Sequence, residues 1–463
     1  MSTVTSTPSK RSRKAAAGAL AVALLFPLVS TTPASAADSP WMNTSLGADQ
    51  RAALLLAEMT LAEKVDLMTG NQGQEPYGFF NAGIPRLGIP ALRMQDAGAG
   101  ISPRGWSLPG TGQHATAMPS GIALGATWDP EVVPGYATVV GNEAKNTGGN
   151  VLLGPNADLI RQPWWGRINE TESEDPFLTA ALVKPFITAV QDNDLMATIK
   201  HPIAYNQELF RSAGQNAVIS ERALAEVHNL PFKAASEANV ASAMCSFNKI
   251  NGVFSCENDF VLNELLRQQG GFPGFVMTDF GAMHSTIPAL KAGTDMETGT
   301  ANFYGAKLVQ AVNNGEVDVA LVNRSVIRIL TPMFEFGLFD TDYTPSPINV
   351  QAGSTEALKV QNQAITLLKN GGSVLPLTSS TQSIAVIGAD ANIIASPGGA
   401  PYVSATQPVP ALDGIRARAD KAGVTMTYSP GNDPVNGTSL LERADMTAVP
   451  STVLAPASGG GSG

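Results

Sequence analysis

Residues 274–296, GFVMTDFGAMHSTIPALKAGTDM, contain two short apolar runs that each end at an aspartate. Residues 275–278 are followed by Asp279, and residues 289–294 are followed by Asp295. A short apolar run bounded by polar turn residues is typical of a buried strand. Four earlier runs have the same form: 89–95 ends at Asp96, 150–154 leads to Asn156 and Asp158, 195–199 ends at Lys200 and His201, and 241–246 ends near Asn248.

Candidate helices lie between these runs, at 131–146, 179–192, 220–237 and 258–269. Strands that alternate with helices form βαβ units with parallel strands. Seven or eight such units in roughly 300 residues predict a (β/α)8-type TIM barrel, which we assign to residues 37–340. The active site of such a barrel lies at the carboxyl ends of its strands, where these polar residues are placed. Because Asp and Asn also favour turns, any one of these residues, considered alone, could instead be a turn former.

The pattern changes after residue 340. Residues 341–354 are rich in Pro, Asp, Gly, Ser and Thr, which predicts an interdomain linker. Residues 355–463 begin a second domain, with a predicted helix at 355–370, a strand at 383–387, a helix at 412–422 and a strand at 424–428. Two strands are fewer than the ~5–6 of an ordinary sheet. We therefore expect the beginning of an incomplete α/β sandwich domain, truncated or interrupted by an insertion point.

The composition is that of a folded protein with more than one domain. Of 463 residues, 44% are hydrophobic and 15% are charged, which excludes a disordered chain. At ~100–200 residues per domain the length allows two to four domains. The formal net charge of -10 disfavours a surface that binds phosphates or anionic lipids. We therefore expect neither nucleic acid nor membrane as a partner.

The first 36 residues have the pattern of a secretory signal peptide. Basic residues between positions 10 and 14 precede an apolar run at 15–29 and a small-residue site that ends at Ala36. The apolar run is shorter than the ~20 residues of a spanning helix, which disfavours a membrane anchor. We therefore predict cleavage after Ala36 and a secreted, extracellular protein.

The chain has two cysteines, Cys245 and Cys256, which flank an Asn-Gly turn at 251–252. In an exported protein such a close pair favours a disulfide bond over two buried thiols. The four histidines have no zinc-like spacing among themselves or with the cysteines. We therefore predict no metal site and no cofactor.

Six segments resemble, in order, blocks of one enzyme family. They are IPRLGIPALRMQD (84–96), WGRINETESEDP (165–176), Lys200-His201 with Asn206 to Glu208, MCSFNKING (244–252), GFVMTDFGA (274–282) and AGTDM (292–296). Each block alone is weak, but six in order over more than half of the chain are specific. From about Gly47 to its end the chain resembles the secreted β-glucosidases of glycoside hydrolase family 3.

This resemblance implies a retaining enzyme that hydrolyses terminal β-D-glucosidic bonds, with Asp279 as the nucleophile. A carboxylate held at a strand end can attack the anomeric carbon and form a glycosyl-enzyme intermediate. Considered alone, Asp279 could equally be the N-cap of a helix that follows the strand. The resemblance also implies a binding site for a β-glucoside or oligosaccharide, which consists of Asp96, Arg167, Lys200, His201, Met244 and Phe280.

Three positions depart from the family pattern. Phe247 stands where a tyrosine is usual, so its side chain has no hydroxyl that could lower the pKa of Asp279. Phe280 stands where a tryptophan is usual, and Pro202 stands where an aromatic residue is common. These departures affect the rate and the preference for the aglycone, but not the type of reaction.

A retaining mechanism needs a second carboxyl about 5–5.5 Å from the nucleophile. The resemblance implies that this acid/base residue is a glutamate of the second domain, beyond this chain, so we assign none within it. Residues 209–225 contain no histidine, which disfavours the family branch that cleaves N-acetylglucosaminides. Asp96, where xyloside-cleaving relatives have glutamate, favours a hexose. The alternative function is a non-catalytic carbohydrate-binding or scaffold barrel.

Several residues near these blocks keep two interpretations. Arg167 could simply pair with Glu170 or Glu174, and Lys200 with His201 could be a polar strand end. Aromatic side chains can stack on a sugar face or fill a core, and this choice is open for Trp106, Trp164 and Trp165.

Overall fold

The computed structural model describes residues 39–70, 79–102, 114–341, 344–394, 396 and 398–431, so the signal peptide prediction and Trp106 lie outside it. Its strands are β1 (Phe80–Asn81), β2 (Leu92–Asp96), β3 (Val151–Leu153), β4 (Met196–Lys200), β5 (Asn216–Ala217), β6 (Ser242–Cys245), β7 (Lys249–Ile250), β8 (Val253–Phe254), β9 (Phe275–Thr278), β10 (Ser383–Ile387) and β11 (Thr425–Ser429).

Its α-helices are α1 (Ala48–Glu58), α2 (Leu61–Leu67), α3 (Gly121–Ala126), α4 (Val133–Asn146), α5 (Pro176–Gln191), α6 (Glu221–Ala223), α7 (Leu230–Glu237), α8 (Ile287–Ala292), α9 (Ala306–Asn313), α10 (Val319–Glu335), α11 (Val350–Ala364) and α12 (Ala411–Ala422). Two further segments, Leu224–His228 and Phe260–Gln269, are π-helical. Helix α5 begins at Pro176, three residues before the predicted start at 179, because Asp175 accepts hydrogen bonds from the N–H groups of Phe177 and Leu178 and Pro176 opens the first turn.

Six strands form the main sheet, in the order β1-β2-β3-β4-β6-β9. Strand β1 is antiparallel to β2, and the other neighbours are parallel. The register pairs Lys200 of β4 with Met244 of β6, and Cys245 of β6 with Thr278 of β9. The carboxyl ends of the parallel strands therefore lie at one edge of the sheet.

The sheet is a curled half-barrel, and a complete (β/α)8 barrel is not seen among the described residues. One of the expected strands, 289–294, is mostly helical, since α8 spans Ile287–Ala292. Pro288 lies in the first turn of this helix, where its fixed φ is favourable, and Gly293 ends it with a φ of 99°. Proline and glycine thus delimit a helix within a run that its apolar residues alone assign to a strand.

Single bridges extend the sheet beyond β9. Met277 pairs with Met296, and Glu297 pairs with Thr69, both in parallel orientation. On the opposite edge, the side-chain amide of Asn81 in β1 donates a hydrogen bond of 2.6 Å to the carbonyl of Leu67. At the two edges of the sheet, β1 and β9, the described residues therefore form isolated bridges and one side-chain hydrogen bond in place of the regular strands of a complete barrel.

Both faces of the sheet are buried, as expected of parallel strands. Leu152, Ala197 and Val276 belong to a cluster that includes residues of α4 and α5. Their chain neighbours Val151, Met196 and Met277 belong to a second cluster that includes residues of α1 and α10. This alternation follows from the two-residue period of a strand. Met244 lies in the second cluster, on the same face.

In the second unit, β10 and β11 are parallel and pair Ser383 with Thr425. Helix α11 starts at Val350, inside the stretch expected to be a linker, because the side chain of Asn349 accepts a hydrogen bond from the N–H of Ala352 at 3.1 Å. The helix also ends at Ala364 rather than at 370. A bridge between Ala115 and Ala405 joins this unit to the first one.

Candidate active site

A cavity of about 450 Å³ opens at the carboxyl edge of the sheet. Strand ends position most of its chemistry: Asp96 is the last residue of β2, Lys200 is the last of β4, and Asp279 directly follows β9. The structure brings together all of the residues that the resemblance assigned to sugar binding and catalysis. These are Asp96, Arg167, Lys200, His201, Met244, Asp279 and Phe280, and each of them lines the cavity.

Asp279 is held from three sides. Its backbone N–H donates to the carbonyl of Cys245 at 2.9 Å, and its Oδ1 accepts from the N–H of Phe280 at 2.7 Å. Its Oδ2 lies 3.4 Å from Nε2 of His201. Burial raises the pKa of Asp279, but the hydrogen bond from His201 and the charges of His201 and Arg167 act more strongly in the other direction. The net result is a pKa below the ordinary value, so the group is a carboxylate near neutral pH.

His201 is itself oriented by a second aspartate. Its Nδ1 lies 2.7 Å from Oδ2 of Asp158, whose side chain is fully buried. Burial raises the pKa of Asp158, although His201 opposes this effect. The carboxylates of Asp158 and Asp279 thus lie beside the two different nitrogens of the His201 imidazole, which fixes the plane of the ring. The sequence placed Asp158 at a strand end but gave no sign of this pairing, because the two residues are 43 positions apart.

Arg167 forms a bidentate pair with Glu170, with both N–O distances at 2.8 Å. Burial raises the pKa of Glu170, but Arg167 outweighs it and lowers this pKa to about 2. Nη1 of Arg167 also lies 3.5 Å from Nε2 of His201. Arg167 therefore both pairs with Glu170 and lines the cavity. The carboxylate of Glu170 holds the guanidinium of Arg167 beside His201.

Asp96 and Lys200 form a second charged pair, with 3.7 Å between Oδ1 and Nζ. Both side chains are almost completely buried. Burial raises the pKa of Asp96 against the lowering effect of Lys200, while the negative charges of Glu170 and Asp279 raise it further. An ammonium and a carboxylate side by side offer a donor and an acceptor to neighbouring hydroxyl groups.

The cavity is also lined by four residues that the sequence did not assign to sugar binding, Phe79, Glu208, Arg211 and Phe247. Arg211 pairs with Glu208 at 2.6 Å, and its guanidinium carbon lies 4.4 Å from the ring centre of Phe247. Phe280 packs on Phe79, with 4.3 Å between ring centres. These aromatic contacts depend on loops that meet only in the folded chain, so no local spacing could have indicated them.

The second unit supplies part of the wall through residues 398–401. The backbone approaches closely here, because a Cβ on Gly98 would lie 2.7 Å from Cβ of Pro401. A glycine is therefore required at position 98 to seat this loop against the end of β2. Position 98 follows Asp96, so the same contact borders the charged pair of Asp96 and Lys200.

Cys245 and Cys256 form a disulfide bond with an S–S distance of 2.01 Å. The bond joins the end of β6 to the turn that follows β8. Since the carbonyl of Cys245 accepts the backbone N–H of Asp279, the disulfide lies one hydrogen bond away from the carboxylate. Cross-linking this short loop restricts the chain on both sides of Phe247.

Within the part of the chain that the structure describes, no group of three or more His, Cys, Asp or Glu side chains is arranged to hold a metal ion. In the same residues, no helix combines the length and hydropathy needed to cross a membrane.

Comparison with protein families finds two consecutive matches. The model described as the glycosyl hydrolase family 3 N terminal domain matches residues 79–331, and the one described as the glycosyl hydrolase family 3 C-terminal domain matches residues 365–456. The first match contains every residue that lines the cavity except those of the 398–401 loop.

Curated relatives agree with this result. A β-glucosidase of Rhizobium radiobacter is 37% identical over 376 residues, which cover 80% of this chain and 45% of the relative. β-Glucosidase A of Aspergillus kawachii is 33% identical over 406 residues, which cover 76% and 46%. The chain thus spans about half the length of the curated relatives that it matches.

Solved structures match over the same extent. DesR, a β-glucosidase from Streptomyces venezuelae in complex with D-glucose, has a TM-score of 0.75 at 36% identity and covers 83% of this chain and 50% of its own. The β-D-glucoside glucohydrolase of Trichoderma reesei has a TM-score of 0.76 at 30% identity and covers 85% and 58%. The fold, the order of the two matched domains and the extent of the first match, which is more than half of the chain, lead to one conclusion: the chain belongs to glycosyl hydrolase family 3.

Proposed function

We propose that this chain provides the sugar site and the nucleophile of a secreted, retaining β-glucosidase. Asp279 is the nucleophile, and Asp96, Arg167, Lys200 and His201 bind the terminal sugar. The observation that carries this proposal is an ionised carboxylate at a strand edge, held beside one imidazole and one guanidinium in a cavity large enough for a sugar ring. The names of the relatives support glucosides as the substrate class.

The proposed proton donor is a glutamate beyond this chain, as the resemblance implies. Two carboxylates of the cavity are poorly suited to this role, because Glu170 has a pKa of about 2 and Glu208 is paired with Arg211. Asp96 has a raised pKa but lies beside Lys200, and the proposal assigns it to sugar hydroxyls. With a substrate whose leaving group needs no protonation, this chain should therefore form the glucosyl-enzyme. It should hydrolyse that intermediate poorly, because attack by water needs a general base.

A substrate with a good leaving group tests this division of labour. With 2,4-dinitrophenyl β-D-glucoside we expect a burst of one dinitrophenolate per protein molecule, followed by a much slower steady rate, because water attacks the intermediate slowly without a general base. Azide needs no base, so it should raise the steady rate and yield β-glucosyl azide. Stopped-flow absorbance and product analysis measure both. No burst and no glucosyl azide from folded protein would contradict the proposal.

The low pKa of Asp279 predicts the acid limit of the burst reaction. Because that pKa lies below 3.8, protonation of Asp279 should lower kcat/KM for the dinitrophenyl glucoside only below about pH 4, whereas a loss at higher pH reports on Asp96, whose pKa is raised. His201→Ala removes the hydrogen bond and charge that lower the pKa, so its acid limb should move to higher pH. His114→Ala, an exposed histidine outside the cavity, should leave the limb in place. An unmoved limb in His201→Ala would show that His201 does not control the ionisation.

The second candidate function is a non-catalytic carbohydrate-binding barrel. The pairing of Glu170 and Glu208 with arginines favours it, since neither is free to donate a proton among the described residues of the cavity. The two functions make opposite predictions for the burst experiment. A binding protein holds glucose without releasing dinitrophenolate.

A further inference from the structure

Glu297 is a buried acidic residue to which the proposed function assigns no role. It is 0% exposed. Among the described residues, its carboxylate accepts hydrogen bonds of 2.6–3.3 Å from the backbone N–H groups of Asn302, Phe303 and Tyr304 and from the hydroxyl of Thr300. A buried carboxylate is costly unless hydrogen bonds replace its hydration. These four neutral donors provide that replacement, and the carboxylate in turn fixes the groups that donate.

The donors belong to residues 298–304, which we call the Glu297 loop. The loop contains no helix or strand and leads into α9. Side chains rather than a regular ladder therefore satisfy its backbone N–H groups. A further bond of 2.5 Å joins it to the start of α8, where the hydroxyl of Thr286 donates to the carbonyl of Phe303. Loss of the Glu297 carboxylate would remove the acceptor of three backbone N–H groups at once.

The Glu297 loop contacts the ring of Phe280. A Cβ on Gly299 would overlap Cδ1 of Phe280, and Gly299 has a φ of 73°, which glycine adopts without strain. Phe280 also packs on Phe79 and lines the sugar cavity. The position of this ring in the cavity therefore depends on the position of the loop.

Two hydrogen bonds place the loop and Phe280 next to the nucleophile. The N–H of Phe280 donates to Oδ1 of Asp279 at 2.7 Å, and the N–H of Thr298 donates to Oγ1 of Thr278 at 2.9 Å. Glu297 itself does not line the cavity. It can therefore act on the reaction only through the groups that it holds in place.

We propose that Glu297 is a positioning residue of the sugar site. Its carboxylate fixes the Glu297 loop, and the loop holds the ring of Phe280 in the cavity beside Asp279. This inference rests on the proposed function, because its effect is measured in the reaction of Asp279.

A double-mutant cycle between Glu297 and Phe280 tests this role. With 2,4-dinitrophenyl β-D-glucoside, Glu297→Gln and Phe280→Ala should each lower the second-order rate constant of the burst about 30-fold. Glutamine keeps the size of the side chain but places an NH2 group against N–H donors. In the Phe280→Ala background, Glu297→Gln should lower the constant by less than about threefold, because a ring that has been removed cannot be displaced.

Asp295→Asn is the matched control. Asp295 is equally buried, lies outside the cavity and also accepts hydrogen bonds from four donors, two of which are arginines. Both Asp295→Asn and Glu297→Gln should lower the temperature of thermal unfolding, since each loses acceptors for buried donors. Asp295→Asn should change the burst rate constant by the same factor with and without the ring of Phe280.

Thr300→Val keeps the test decisive if Glu297→Gln does not fold. It removes one of the four donors at constant shape and should lower the burst rate constant about threefold, a loss that should be absent in the Phe280→Ala background. Equal losses with and without the ring, for either variant, overturn the positioning role and leave the proposed function intact. The same holds for an unchanged rate in folded Glu297→Gln, and for coupling of Asp295→Asn to Phe280→Ala. If the unchanged chain gives no burst, the proposed function fails and the positioning role fails with it.

Discussion

The Asp279→Ala variant should form no covalent glucosyl-enzyme and should release dinitrophenolate from 2,4-dinitrophenyl β-D-glucoside at least about 10⁴-fold more slowly than the unchanged chain. The reason is that no other carboxylate of the cavity can replace Asp279. Glu170 is engaged in two hydrogen bonds with Arg167, and Asp96 lies beside Lys200. Stopped-flow absorbance gives the rate, and intact-protein mass gives the adduct.

A small anion should partly restore this variant. Azide occupies the space that the carboxylate leaves and attacks the anomeric carbon from the same side, so the product should be α-glucosyl azide, the opposite anomer to that from the unchanged chain. Asp192→Asn, an exposed aspartate outside the cavity, is the matched control and should behave as the unchanged chain does. If Asp279→Ala kept the burst, Asp279 would not be the nucleophile.

Asp96→Asn should lower kcat/KM for the dinitrophenyl glucoside by about 10³-fold, because two charge-assisted hydrogen bonds to sugar hydroxyls become neutral ones or are lost. Asparagine keeps the shape of the side chain, so the buried surroundings stay filled. The loss of the carboxylate also leaves the buried ammonium of Lys200 without its neighbour at 3.7 Å. Thermal unfolding should therefore be measured with the kinetics, to separate a lower stability from a weaker site.

Deoxy sugars make this second test specific. Removing either of the two hydroxyls that Asp96 binds should reduce kcat/KM strongly in the unchanged chain and only slightly in Asp96→Asn, since the same bond cannot be lost twice. The other monodeoxy glucosides should lose equally in both proteins. If every deoxy glucoside loses equally in both proteins, Asp96 contacts no hydroxyl and its assigned role is wrong.

The local sequence predicted the strands that carry the site better than it predicted the closure of the sheet. The run 275–278 became β9, because four buried residues between a glycine-rich turn and a polar end have no competing signal. The run 289–294 became mostly helix, since Pro288 and Gly293 mark the ends of a helix whose short apolar core resembles a strand. The prediction from apolar residues alone therefore counted one strand more than the sheet contains at this position.

The candidate site shows the same division. Residues at strand ends, such as Asp96 and Lys200, could be placed together once parallel strands were expected, since parallel strands share one carboxyl edge. Asp158 and Arg211 could not be assigned from the sequence. Their partners are side chains on other loops, and burial rather than spacing determines whether a carboxylate there pairs with His201 or an arginine stacks on Phe247.

The most direct test of the central claim is mass spectrometry after incubation with 2,4-dinitrophenyl 2-deoxy-2-fluoro-β-D-glucoside. Its leaving group needs no acid, and the fluorine slows the breakdown of the intermediate. The peptide 268–291, released by cleavage after Arg267 and Lys291, contains Asp279 as its single acidic side chain. We predict that one fluoroglucosyl group is added to this peptide and that none is added in Asp279→Ala. Folded protein that binds glucose but gains no mass, or gains it on another peptide, would contradict the account.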